Sequence, residues 1–168
     1  SDPQENIVYQ ILVEGLHADV SMGTSINNDN IVYYLETTPG SPNSANEYIG
    51  IINSDVVFSN EGGVINSAID LTLSGNEANQ VIRYTTDATL PNEASALYTN
   101  PIPIASNSTV RARIFANEYI PSLSNSKTYI FNADHQIDIV TLTTDPYNFF
   151  DEDYGIYVYG DSYDPNVP

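Results

Sequence analysis

Five carboxylates fall within fourteen residues near the C-terminus: Asp151, Glu152, Asp153, Asp161 and Asp164, beside Gly155 and Gly160. A calcium ion takes roughly six to eight oxygen ligands, and an acidic loop punctuated by glycine can supply them. Asp151, Asp153, Asp161 and Asp164 are therefore the candidate calcium ligands. Their spacing departs from the D-x-D-x-D-G of an EF-hand loop, so a solvated acidic loop stands as the alternative. The same stretch is dense in rings, with Tyr147, Phe149, Phe150, Tyr154, Tyr157, Tyr159 and Tyr163. Exposed aromatic faces beside Asn or Asp stack on sugar rings, which makes Tyr147, Tyr154 and Tyr157 candidate carbohydrate contacts. Packing is the competing account: in a strand over Gly155–Gly160, Ile156 and Val158 share one face while Tyr157 and Tyr159 cover the other.

Group-transfer chemistry finds less to work with. Phosphoryl transfer needs a cation at the phosphates, carboxylates that hold the metal, and usually a glycine-rich loop. The chain has one lysine, Lys127, and neither a G-x-G-x-x-G nor a G-x-x-x-x-G-K-[ST] run. The two histidines, His17 and His135, sit in loop-like contexts with no adjoining Ser or Asp constellation of the hydrolytic kind. There is no cysteine, which excludes disulfide frameworks, thiolate metal sites and a cysteine nucleophile. No catalytic residue is assigned, no cofactor is required, and the chain is not expected to be an enzyme. The remaining cations are Arg83, Arg111 and Arg113. They form a small cationic spot if the strands that carry them are neighbours, and they are expected to pair with acids such as Asp70 or Glu118. Exposed pairs of that kind contribute only about 0–1 kcal/mol each. Asn107-Ser108-Thr109 is a glycosylation sequon, used only along a eukaryotic secretory route.

Strands must position these groups, because helical periodicity is scarce and apolar–polar alternation recurs. The candidate strands are Ile7–Val13, Ile31–Glu36, Val56–Ser59, Ala68–Ser74, Val81–Thr86, Ile102–Ala105, Thr109–Ala116, Ser126–Phe131, Asp138–Thr144 and Gly155–Gly160. They are rich in Val, Ile, Thr and Tyr and bounded by Asn, Pro, Gly and Asp. In 109–116, Val110, Ala112 and Ile114 share one face and Arg111 and Arg113 the other; in 68–74, Ile69, Leu71 and Leu73 oppose Asp70 and Thr72. Such alternation describes strands with one wet face, as in two packed antiparallel sheets. Tyr84 joins Ile69, Leu71, Leu73, Val110 and Ile114 as the expected core. The Pro/Gly/Ser segment Thr37-Thr38-Pro39-Gly40-Ser41-Pro42-Asn43-Ser44 reads as a linker, and 132–136 as a weaker break.

At 168 residues the chain makes one domain or two small ones. Leu, Ile, Val and Phe total 44 of those residues, above the roughly 20% below which chains tend to stay unfolded. Only 15% of residues are charged, yet acids outnumber bases 22 to 4 and the net charge is −18. Residues 1–45 hold six acids and no base, and residues 134–168 hold eight acids and no base. Such a surface repels phosphate backbones and anionic membranes, so nucleic acid is excluded as a partner. No apolar run approaches the ~20 residues of a membrane-spanning helix. No export signal stands at Ser1, so any such signal is removed or lies upstream. A lysine-poor acidic surface suits a salty exterior, where screening softens self-repulsion.

The run from 81 to 116 carries a resemblance. Ile82, Tyr84, Thr85, Thr86, Asp87 and Pro91, then Tyr98, Pro101 and Ile102, then Thr109, Val110 and Ala112 follow one another in a recognisable pattern. It closely resembles that of the Ig-like domain at the C-terminus of chitobiase and β-hexosaminidase enzymes. The resemblance implies a non-catalytic spacer or adhesion unit of large secreted proteins. Asp87 is read as a turn residue bonding its own backbone. The family usually places Gly next, and Ala88 therefore implies a turn without positive φ at that point. Ser21-Met22-Gly23, Tyr34 and Thr38-Pro39-Gly40-Ser41-Pro42-Asn43 look like the closing segment of bacterial lamin-tail-like domains. Ile139 through Asp151, followed by Gly155-Ile156-Tyr157-Val158, looks like the opening of the spore-coat-kinase (CotH-like) family. These resemblances divide the chain into 1–45, the C-terminal part of a lamin-tail-like β domain with a linker; 46–133, the Ig-like sandwich; and 134–168, the opening segment of a CotH-like domain.

The expected fold class is all-β, an Ig-like antiparallel β-sandwich with partial flanking β segments. The expected role is a non-catalytic spacer, adhesion or structural segment of a secreted or cell-surface multidomain bacterial protein. Two alternatives stand beside it: a fragment of a secretory CotH-like kinase with catalytic residues beyond Pro168, and a carbohydrate-binding module. The expected partners are the remaining domains of the parent chain, glycans or other surface proteins, and further copies joined through strand edges.

Overall fold

Between Ser108 and Phe115 the side chains alternate, with Val110, Ala112 and Ile114 buried and Arg111 and Arg113 only half-buried, and this strand sits at the centre of the fold. The computed structural model describes residues 15–134 and 138–159. Its strands, in chain order, are β1 (Ser21–Thr24), β2 (Ile31–Tyr34), β3 (Gly50–Ile51), β4 (Val57–Phe58), β5 (Gly63–Ile65), β6 (Ile69–Leu71) and β7 (Leu73–Ser74). There follow β8 (Val81–Thr85), β9 (Ala96–Leu97), β10 (Ile102–Ile104), β11 (Ser108–Phe115), β12 (Tyr119–Ile120) and β13 (Asn125–Phe131), then one helical turn, α1 (Tyr147–Phe150).

The largest sheet has the order β5-β13-β11-β8-β9. Its middle is antiparallel: β11 sets Arg113 opposite Arg83 and Ile114 opposite Ile82 on β8, and Val110 opposite Lys127 on β13. At the β13 side, β5 joins in parallel. The pairs β1–β2, β4–β7 and β6–β10 are antiparallel ribbons, and β3–β12 is a parallel one. Ile82, Val110, Ala112, Ile114 and Tyr129 of the large sheet meet Phe58, Leu71, Leu73, Ile102 and Ile104 of the ribbons in one buried cluster. Each fully buried aliphatic side chain there stabilises the fold by about 1.5–3 kcal/mol relative to exposure. Four of the six expected core residues, Leu71, Leu73, Val110 and Ile114, are buried, and Ile69 and Tyr84 pack against the cluster from its margin. The chain is all-β in the manner of an Ig-like domain.

Several expectations need correction. The strand expected over Ala68–Ser74 is divided at Thr72: β6 pairs with β10, whereas β7 pairs with β4. The break follows from the Thr72 N–H and carbonyl turning to the Ser59 side chain and amide, both at 2.9 Å. Asp138–Thr144 and the described part of Gly155–Gly160 are not strands. Instead the chain makes α1 and then turns back, with the Ile156 amide on the Asn148 carbonyl and the Tyr157 amide on the Phe149 carbonyl. Alternation alone cannot make a strand without a partner edge, and Val140 and Leu142 remain 91% and 75% exposed. The strand expected over Ile7–Val13 lies outside the described residues. After the 37–44 segment the chain returns to β2, where Tyr33 and Tyr48 exchange both backbone hydrogen bonds at 2.8 and 3.0 Å.

Candidate functional site

Two surfaces carry the chain's candidate chemistry, and they are built differently. The first is the arginine-bearing face of the large sheet. Because β8 and β11 are neighbours, Arg83 and Arg113 stand directly opposite each other, with Arg111 two residues along on the same face of β11. Like charges at opposed positions are unfavourable, and half-burying them adds to the cost unless their donors are hydrogen-bonded. Here backbone oxygens do that work, in place of the expected Asp70 and Glu118. Arg83 donates to the Ser95 carbonyl at 2.7 Å. Arg111 donates to the Ala88 carbonyl at 3.1 Å and to Ser124 Oγ at 3.2 and 3.3 Å. Arg113 donates to the Ser122 carbonyl at 2.8 Å and lies 5.6 Å from the Phe115 ring centre. Among the described residues no salt bridge joins these arginines to an acid. Burial first, and the Arg111 charge second, pull the Arg113 pKa below its ordinary value.

Those carbonyls belong to turns the sheet itself needs. Asp87 Oδ1 accepts from the Thr89 amide at 3.1 Å and from the Thr89 hydroxyl at 2.6 Å, the turn role expected of it. The same two bonds hold the Asp87 carboxyl below its usual pKa. Ala88, however, has φ of 67°, against the expectation. The Arg111 bond to its carbonyl and the Thr85 hydroxyl on the Thr89 carbonyl, at 2.6 Å, hold the turn closed around that residue. Ser122 is fully buried and takes over as a backbone substitute beside β11, its Oγ accepting from the Ile114 amide and donating to the Leu123 carbonyl, both at 2.9 Å.

The second surface is the aromatic segment around α1. Tyr147 and Tyr154 lie with ring centres 5.8 Å apart at 30°, while Tyr157 stands edge-on to Phe149 and Phe150 at 6.4 and 6.1 Å. All three candidate tyrosines are exposed. Tyr147 and Tyr154 are thus brought together, and Tyr157 joins a separate ring group. Burial, then the Asp151 charge, raise the Tyr147 pKa. Of the candidate calcium ligands, Asp151 directs Oδ1 to the amides of Asp153 and Tyr154 at 3.0 and 3.1 Å, a turn-closing use of the carboxylate. Asp161 and Asp164 lie outside the described residues. Among the described residues no three His, Cys, Asp or Glu side chains gather into a metal-holding group. His17 bonds Asn53 through Nε2 at 3.0 Å, and His135 lies outside the described residues. No described helix is long and apolar enough to cross a membrane.

Some participants had no sequence signal: the carbonyls of Ala88, Ser95 and Ser122 are peptide oxygens like any others. Asp145 did have one. An Asp before Pro is a helix-start pattern, and its Oδ1 accepts from the Tyr147 amide at 3.1 Å while Oδ2 reaches the Leu90 amide at 3.5 Å. Glu47 was also missed; it accepts from Ser25 Oγ and the Ile26 amide, both at 2.7 Å, and these bonds lower its pKa.

No curated protein and no solved structure matches the chain. Residues 60–128 match the family model of the chitobiase/beta-hexosaminidase C-terminal domain, and that span runs from the approach to β5 into β13, so the middle of the chain is similar to this family in both sequence and Ig-like build.

Proposed function

We propose that the chain is a non-catalytic structural spacer within a secreted or cell-surface protein, holding neighbouring domains apart. The observation that carries this reading is the parallel pairing of β5, the first strand of the family-matched span, with β13, the last. Parallel neighbours start at the same end, so a chain that begins β5 at one end of the sandwich leaves β13 at the other. A domain threaded in this way adds its own length to the distance between whatever precedes and follows it. The use of three arginines on the sheet's own turns supports the same reading, since it commits most of the cations to architecture. The acidic, lysine-poor surface supports an exterior location. The lamin-tail-like and CotH-like resemblances of the flanks enter as sequence resemblances that suggest the kind of neighbouring domain.

A second reading, glycan adhesion, is favoured by the exposed neighbouring pair Tyr147 and Tyr154, whose rings tilt by 30° from one another. Incubating the chain with insoluble chitin and cellulose, and separately with a chromogenic N-acetylglucosaminide, separates the readings. The spacer reading expects neither retention nor turnover. Retention that Tyr147→Ala and Tyr154→Ala abolish would replace it with adhesion, and turnover would overturn both.

A further inference from the structure

The contact between β5 and β13 is more than a three-residue ladder. Gly63, Val64 and Ile65 stand opposite Tyr129, Ile130 and Phe131, and the Asn132 amide extends the pairing to the Ile65 carbonyl at 3.0 Å. Upstream of β5 the chain is tied to the same strand. Tyr129 is fully buried and its hydroxyl donates to the Asn60 carbonyl at 3.0 Å, while Lys127 and Glu61 form a salt bridge. Gly62, at φ of +79°, lies so close to β13 that a Cβ there would come 2.7 Å from the Thr128 carbonyl oxygen. Five consecutive positions, 61 to 65, thus lie along 127 to 132. On its other side β13 is held by β11 along five register pairs, by the Thr109–Thr128 hydroxyl bond at 3.0 Å, and by Asn107 Oδ1 on the Phe131 amide at 2.8 Å.

Direction decides what this seam does under tension. When two parallel neighbours are drawn apart from opposite ends, the strands slide along each other and every bond between them is stretched together. When two strands are drawn from the same end, the bonds open one after another. Forced unfolding is governed by the height of the barrier rather than by equilibrium stability, so simultaneous loading raises the force needed. We propose that the β5–β13 seam is a shear lock that lets this module carry tension along the chain, with Asn60–Tyr129 and Glu61–Lys127 as its outer fastenings. This function rests on the spacer reading and adds to it: the module transmits pull between its neighbours without opening.

The absence of native cysteine allows attachment points to be placed at will on the whole chain. Val57, Leu123 and Asp134 are exposed. Handles on Val57→Cys and Asp134→Cys pull β5 and β13 from opposite ends; handles on Val57→Cys and Leu123→Cys pull both from their starting ends. Both arrangements share the Val57 handle and differ in which end of β13 is drawn. In single-molecule extension at one loading rate, the first arrangement is expected to need at least about twice the unfolding force of the second. Tyr129→Phe, which keeps the ring and removes the bond to Asn60, is expected to lower the force in the first arrangement and leave the second nearly unchanged. Equal forces in the two directions would overturn the lock, as would an equal loss in both from Tyr129→Phe. Neither result touches the glycan and turnover tests of the spacer reading, and failure there leaves the force ratio standing.

Discussion

The central sandwich and the segment from 138 to 159 carry similar alternation of apolar and polar residues, and only the first turns it into strands. In β11 the apolar positions close onto Leu71 and Ile104 across the core. In the C-terminal segment Ile156 and Tyr157, which alternation would put on opposite faces of a strand, are 79% and 78% exposed alike. The difference teaches that period-two polarity states a preference which a neighbouring edge and an opposing layer must satisfy. Where both are present the preference becomes a sheet; where they are not, local bonds such as those of Asp145 and Asp151 decide the shape.

Core truncation tests this contrast most strongly. Leu71→Ala is expected to remove about 2–5 kcal/mol of stability, read by urea unfolding. Leu142→Ala should stay within about 0.5 kcal/mol. A comparable loss from both would mean the C-terminal segment is packed after all. Ser122→Ala tests whether a single hydroxyl finishes the edge of β11. It strips the Ile114 amide of its side-chain acceptor in a fully buried place, so a loss of about 1–3 kcal/mol is expected in the same assay.

Alkaline titration tests the burial of Tyr129 against the open C-terminal segment. Burial, with the Glu61 charge adding to it, pushes the Tyr129 pKa from 10.0 up to about 12. The unfolded chain therefore releases this proton first. Its contribution to stability is whole below pH about 10 and is lost as pH rises towards about 12. Tyr129→Phe should flatten unfolding midpoints over that window. The smallest effect concerns the strained turn. Ala88→Gly relieves a positive φ and should raise the melting temperature by the equivalent of about 0.5–1 kcal/mol, set against a larger unfolded-state entropy for glycine. A drop would show that the turn is not strained at this residue.

Much of the sheet was legible in the chain because long strands write their own pattern. Val81–Thr85, Ser108–Phe115 and Asn125–Phe131 each fall within a residue or so of the strands that alternation foretells. The strands β3, β5, β9 and β12 were not legible, since two or three residues hold no period and exist only by virtue of the strand alongside. The candidate site divides likewise. Crowded tyrosines announce an aromatic surface, but which rings meet depends on the reversal after α1, set by backbone bonds at Asn148 and Phe149. The arginine partners were not legible because opposite charges are the acceptors a sequence suggests, while rigid turns offer carbonyls already aimed at the guanidinium groups.

The surplus of acids over bases has an effect reaching past a single molecule. Whatever atoms the guanidinium groups bond, four basic side chains cannot offset 22 acidic ones, and the net charge stays at −18. Two such surfaces brought together would push each other apart in dilute buffer and far less in brine.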